Sequence, residues 1–257
     1  MHYELDQVTL SDTKIQYKQS KPFAPQDNPD TKHPYLVVNE LNLNNILIDY
    51  NSLAENVVTK VRLGEFKLDL PKAELATNEV EIALFSLKNS DISLQLQKDN
   101  PVVTDSTEIS TKMSAFSWPN FALAANKISL ENNSLLYQIN NTPSSIGQFN
   151  PNHIALSNLT LNATDVKYQP QNARLNLDRF SFLEKSGFTL NNLAMYANLN
   201  DTSASISGLK METGSSTLDG TLELAYPSIE KLLESPGNTK VDLQFNQIKL
   251  ALQDALY

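Results

Sequence analysis

The chain has 257 residues, 40% of them apolar, and its 20 basic and 29 acidic side chains give a net charge of −9. Such a length supports one large all-β domain or two ordinary ones, and the apolar fraction fits neither a disordered acidic chain nor a membrane bundle. The acidic balance argues against a nucleic-acid partner, which needs clustered Lys and Arg, and the lack of cysteine removes disulfides, thiolate nucleophiles and Cys-ligated metals.

In chain order, Met1 to Asp6 has neither a basic nor an apolar region and is no signal peptide. Lys21 to Pro34, with four prolines, reads as a surface excursion between strands. Within it, Asp27-Asn28-Pro29-Asp30 lacks the Gly and distal Glu of a calcium loop and reads as a solvated turn. Ser52 to Val58 suits a short helix. The alternation of Val61-Leu63 slips by one residue to Phe66-Leu68-Leu70 around Gly64, which predicts a bulge. Asp69, Glu74, Glu79 and Glu81 are spread along strands and expected to face water. The longest uncharged stretch, Met113 to Asn126, is too short to span a bilayer and contains the single tryptophan, Trp118. His33 and His153 are expected at the surface.

Further on, Leu175-Leu177, Leu218 to Tyr226 and Val241-Leu243-Phe245 alternate as half-buried strands. A second phase slip, at Gly208, separates Ala204-Ile206 from Leu209-Met211. Pro227-Ser228 followed by Ile229, Leu232 and Leu233 and closed by Pro236-Gly237 predicts two helical turns. The chain ends inside an apolar pattern, as a piece of a longer protein would. No composition shift marks an internal boundary, so residues 1–257 form one segment of roughly fifteen strands, each about five to ten residues long.

A repeat organises these strands: an apolar residue, further apolar residues two and seven positions on, and Tyr at nine. Val8, Leu10, Ile15 and Tyr17 fit, as do Leu41, Leu43, Ile48 and Tyr50. So do Ile128, Leu130, Leu135 and Tyr137, and Leu159, Leu161, Val166 and Tyr168. Phe85, Leu87, Ile92 and Leu94 fit with Leu for Tyr. Between the halves lie turn formers: Ser11-Asp12-Thr13, Asn44-Asn45, Asn132-Asn133-Ser134 and Asn162-Ala163-Thr164. Each unit therefore predicts a hairpin with four apolar residues on one face. The starts at 8, 41, 85, 128 and 159 are too uneven for a β-helix or propeller. The expected fold is mainly β: a long, twisted antiparallel sheet of repeated hairpins curled into a taco-like apolar groove, with one or two short helices.

This strand, Asn turn and strand unit ending in Tyr resembles the AsmA-like superfamily of Gram-negative envelope proteins. The stretch Leu218-Asp219-Gly220-Thr221-Leu222-Glu223-Leu224-Ala225-Tyr226, followed by Pro227-Ser228-Ile229 and then Val241 to Tyr257, is similar to the TamB branch. The resemblance implies a periplasmic segment of an inner-membrane-anchored protein. Its groove would carry glycerophospholipid between inner and outer membranes, or serve outer-membrane protein assembly beside an outer-membrane barrel partner. Acyl chains would lie on the repeat residues and on Leu222 and Leu224.

No Gly-x-Ser-x-Gly, His-Glu-x-x-His or phosphate-cradling loop occurs, so neither an enzyme nor a cofactor is expected. The alternative is a secreted or cell-surface β-rich adhesion or binding module with a closed core. The repeat tyrosines suit either a lipid rim or plain strand-end packing.

Overall fold

The structure, a computed structural model, describes residues 2–21, 35–74, 78–98 and 116–256. The Asp27 to Asp30 cluster and His33 lie outside them.

Fourteen strands form one sheet. The first three are β1 (His2–Gln19), β2 (Tyr35–Ser52) and β3 (Val57–Asp69), and the next four are β4 (Lys72–Glu74), β5 (Glu79–Ile82), β6 (Leu84–Lys88) and β7 (Asp91–Leu96). Then come β8 (Ala122–Ile139), β9 (His153–Gln169), β10 (Asn172–Glu184), β11 (Thr189–Asn200), β12 (Ser203–Thr213), β13 (Thr217–Ala225) and β14 (Lys240–Lys249). The sheet runs β1-β2-β3-β6-β8-β9-β10-β11-β12-β13-β14, with β7 continuing β6 between β3 and β8 and the β4–β5 hairpin beside β8. One helix, α1 (Ile229–Glu234), links β13 to β14. It starts where Ser228 Oγ accepts a hydrogen bond from Lys231 N at 3.1 Å, and it lies where the Pro-Ser and Pro-Gly punctuation predicts it.

The mainly-β single sheet agrees with the sequence reading, but two of its details differ. First, the sheet is mixed. β1 pairs β2 in parallel, and β5, β6 and β7 each pair β8 in parallel, while the other pairs are antiparallel. The connections 20–34 and 97–121 meet the dozen or more residues that a parallel crossover requires. Second, the repeat units are not hairpins. Val8 to Tyr17, Leu41 to Tyr50, Ile128 to Tyr137 and Leu159 to Tyr168 each lie within one strand of 17 or 18 residues.

The residues taken as hairpin turns instead hold a bulge within the strand. Asp12, Asn45, Asn89 and Asn132 sit at φ 51°, 51°, 50° and 52°, a left-handed conformation that Asn and Asp adopt more readily than other side chains. The parallel partners bulge at the same level. Asn45 Nδ2 donates to Asp12 Oδ1 at 2.6 Å, and Asn132 Nδ2 to Asn89 Oδ1 at 2.9 Å. Gly64 stands at that level in β3, as its phase slip predicts, because a β-carbon there would meet Asn89 O at 2.5 Å. Gly208, at φ 60°, marks the second predicted slip, in β12. In β9 the left-handed residues are Asn158 and Asp165 rather than the expected Asn162 to Thr164.

The predicted helix at Ser52 to Val58 is also replaced. Ser52 Oγ accepts from Glu55 N at 3.1 Å, Asn56 takes φ 56°, and the β-branched pair Val57-Val58 opens β3. The result is a tight β2–β3 turn.

Nine apolar side chains are buried among the described residues, and Ile46, Leu63 and Leu87 form the centre of a cluster that takes in Leu43, Ile48, Phe66, Phe85, Ile92 and Leu130. Along β2, Ile46 is 1% exposed and its neighbour Leu47 41%, so the two faces differ sharply. Every described strand belongs to this one sheet, and among the described residues no second layer packs on it.

Candidate functional site: an apolar track across the sheet

Cross-strand partners share a face, so the register shows which side chains line up. From β1 to β14 one row reads Leu10, Leu43, Phe66, Leu87, Leu130, Leu161, Phe180, Leu193, Met211, Leu218 and Ile248. Eleven strands contribute eleven apolar residues and no polar one. Ten spacings of about 4.8 Å make this row roughly 48 Å long, perpendicular to the strands. A second row reads Val8, Leu41, Leu68, Phe85, Ile128, Ala163, Leu177 and Met195. A third reads Ile15, Ile48, Val61, Ile92, Leu135 and Leu156 and ends on Glu184.

The apolar repeat residues therefore share one face. Parallel pairing sets equivalent positions side by side: Val8 on Leu41, Ile15 on Ile48, and Ile92 on Leu135. Tyr17 stacks on Tyr50 with centroids 5.4 Å apart, and Leu94 pairs Tyr137 at the same strand ends. The fourth unit departs from this arrangement. Because β9 runs antiparallel to β8, Tyr168 pairs Leu123 at the opposite end. There it joins Phe121 (4.4 Å) and Trp118 (6.2 Å), and its hydroxyl donates to Pro119 O at 2.8 Å. Trp118 Nε1 in turn donates to Asp201 Oδ1 at 3.1 Å. Leu222 and Leu224 pair Ile206 and Ala204 on one side and Leu243 and Val241 on the other, extending the apolar face to the β14 edge.

Most of this face is half-buried. Of the eleven residues in the first row only Leu87 is buried, at 8% exposure, while Ile248 is 52% exposed. On β14, Val241, Leu243, Phe245 and Ile248 are all exposed, as is Leu250 just beyond it. Val241, Leu243, Ile248 and Leu250 stand at the repeat's offsets with Leu for Tyr, so β14 carries a further copy that the tyrosine signature does not mark.

The third row leads into a 380 Å³ pocket lined by Phe149, Ile154, Leu156, Phe182, Phe188, Glu184 and Asp254. Glu184 is 8% exposed; Oε1 accepts from Ala155 N at 3.2 Å and Oε2 from Ser186 N at 2.6 Å. Burial pushes this carboxyl up, but the hydrogen bonds from Ser186, Ala155 and Lys185 outweigh it and hold the group below the ordinary glutamate range. Asp254 Oδ2 accepts from the hydroxyls of Ser216 and Thr213, and these bonds hold its carboxyl low.

A 720 Å³ trough on the other side combines Lys14, Lys60, Arg62, Asp91, His153 and Lys185 with Leu47, Leu136 and Ala155, and its lining also takes in the third-row residues Val61, Ile92, Leu135 and Leu156. His153, expected at the surface, is 7% exposed. Residues 140–152 fold back over it, and Nδ1 lies 2.7 Å from Thr142 O, a carbonyl that can only accept, so Nδ1 is the donor. Asp69, Glu79 and Glu81 are half-buried to exposed, with Glu79 paired to Lys72 Nζ at 2.6 Å. Among the described residues no three His, Asp or Glu side chains gather closely enough to hold a metal ion, and no helix is long and apolar enough to cross a membrane.

No protein-family model matches the chain, and no curated protein matches it.

Proposed function

We propose that the chain is a segment of a periplasmic envelope-biogenesis protein of the AsmA-like, TamB type. Its apolar track carries phospholipid acyl chains between the inner and outer membranes, or serves outer-membrane protein assembly beside a barrel partner. The work requires no enzymatic step. The observation that supports this reading is the row from Leu10 to Ile248, eleven apolar residues with no polar interruption and no described layer over them. A sheet face of this extent is stable in water only when something apolar covers it. Acyl chains suit a track without charges, since each methylene placed on it contributes about 0.8 kcal/mol and needs no polar partner. A closed-core adhesion module would need a second layer, which the described residues do not supply.

Photocrosslinking tests the proposal directly. A photoreactive residue at position 130 or 161, which face each other across β8 and β9, is expected to give phospholipid adducts in cells, and native mass spectrometry of the purified chain is expected to show bound phospholipid. Protein crosslinks alone from every track position, with a lipid-free mass spectrum, would overturn it.

A further inference from the structure

The pocket at the end of the third row differs from the rest of the apolar face. The track mixes aliphatic side chains with Phe66, Phe85 and Phe180 and carries no charge in its first two rows, whereas this pocket joins three phenylalanines to two carboxylates. Phe182 and Phe188 stand with centroids 6.0 Å apart and planes inclined at 47°, and Phe182 also meets Phe180 at 5.3 Å. Phe149, 44% exposed, forms the outer wall. Among the described residues the charged groups that line the cavity are both carboxylates, Glu184 and Asp254, with no Lys, Arg or His beside them.

This combination selects a ligand chemistry. An acyl terminus would leave both carboxylates facing hydrocarbon with nothing gained in return. A phosphate or carboxylate would meet two like charges. An ammonium group is attracted by both kinds of wall, since ring faces carry negative charge density and attract cations, quaternary and primary ammonium among them. The volume of 380 Å³ lies within the ordinary range of ligand pockets, about 300–1,000 Å³. Both carboxylates are fixed in place by protein donors, Glu184 by Ala155 N and Ser186 N and Asp254 by the Ser216 and Thr213 hydroxyls.

We infer that this pocket is a headgroup site for an ammonium-bearing amphiphile, the ethanolamine or choline class of phospholipid. The inference rests on the reading of the face as an acyl-chain track, because the third row leads from the pocket through Leu156, Leu135 and Ile92 and gives the acyl chains their course. A headgroup held between Phe149 and Asp254 places its lipid at the start of that row. The site makes the track selective for headgroup, whereas the repeat alone predicts no such selectivity.

The test compares short-chain lipids with identical acyl chains on the 257-residue protein by titration calorimetry. Dihexanoyl phosphatidylcholine and phosphatidylethanolamine are expected to bind about tenfold more tightly than dihexanoyl phosphatidylglycerol, a difference of ~1.4 kcal/mol. Phe149→Ala and Asp254→Asn should each remove most of that preference, with circular dichroism confirming an intact sheet. Glycerophosphocholine, which lacks acyl chains, separates the two readings. Equal affinities for all three lipids would overturn the headgroup site and leave the track standing. Glycerophosphocholine bound without any lipid would uphold the site and sink the track. Binding of none of these probes would overturn both.

Discussion

Gly64 tests the row of bulges most severely. A β-carbon there would stand 2.5 Å from Asn89 O and 2.7 Å from Lys88 O, both backbone atoms at the junction of β6 and β7. Neither can swing aside as a side-chain tip would, so Gly64→Ala must push β3 away from that junction. Its amide would then lengthen the 3.0 Å bond to Ser90 Oγ. Overpacking of this kind costs about 3 kcal/mol, which for a chain of this size lowers Tm by roughly 6–12 °C. Two other glycines calibrate the experiment. At Gly208 the space is empty but φ is +60°, so Gly208→Ala carries only the left-handed penalty of about 1–2 kcal/mol. Gly214 has neither close neighbour nor positive φ, and Gly214→Ala should fall within about 0.5 kcal/mol of the parent. Thermal and urea unfolding followed by circular dichroism should rank the losses Gly64, then Gly208, then Gly214. A Gly64→Ala protein as stable as Gly208→Ala would mean that β3 does not approach the β6–β7 junction so closely, and the aligned bulges would lose their basis.

Three further outcomes follow from other residues. Asn133 is 1% exposed, accepts from Ser90 N and donates to Leu87 O, both at 2.9 Å, so Asn133→Ala strands two buried backbone groups and should cost about 2–4 kcal/mol in urea unfolding. Leu161→Asp, on the half-buried track, should cost about 1–2 kcal/mol and abolish lipid crosslinking, whereas Leu87→Asp at the cluster centre should cost about 3–5 kcal/mol; equal losses at the two sites would contradict an open face. The Asp254 carboxyl is held low by Ser216 and Thr213, so its folded pKa lies below its unfolded value of about 3.9. Its stabilisation is therefore complete above about pH 4 and lost as pH falls through the lower folded value, and Asp254→Asn should flatten the acid limb of a stability–pH curve below about pH 4.

Much of the fold was legible because apolar parity survives whatever the backbone does. Leu43 and Ile48 are five positions apart, an odd number, and a strand that alternates strictly would set them on opposite faces. Two devices return them to one face: a tight turn, which makes them partners in a hairpin, or a single bulge within one strand. The residue preferences do not separate these, since Asn and Asp serve left-handed turn positions and left-handed bulges equally well. The hairpin reading consequently had the correct face but two short strands per unit where the structure has one long strand. What does separate them is the offset between copies. Asp12 and Asn45 are 33 residues apart, as are Val8 and Leu41, and parallel strands in register reproduce that constant offset down their whole length. The pocket was not legible, because Phe149, the Phe182–Phe188 pair of the β10–β11 hairpin and Asp254 come from three separate segments with no shared spacing. His153 was misplaced for a related reason: the loop that covers it, residues 140–152, carries no periodic signal of its own.

The aligned bulges also explain how so long a sheet can present an apolar face and remain a defined molecule. An 18-residue strand that is flat, exposed and apolar on one side is a template for pairing with other chains. A bulge bends its strand and raises the local twist, and a bulge at one level in β1, β2 and β8, opposite Gly64 in β3, bends neighbouring strands together. At that level the polar groups lie inside the apolar face rather than on its rim: Ser90 is 0% and Asn133 1% exposed, and each is spent on backbone bonds across β3, β6, β7 and β8. The outermost strands carry a second deterrent, with Lys14 and Lys18 on β1 and Lys240 and Lys249 on β14. Removing those four lysines should raise self-association without changing the fold, measured by sedimentation velocity on a Lys→Thr quadruple variant. If that variant stayed as monodisperse as the parent, the bent sheet alone would account for solubility, and the lysines would have no part in it.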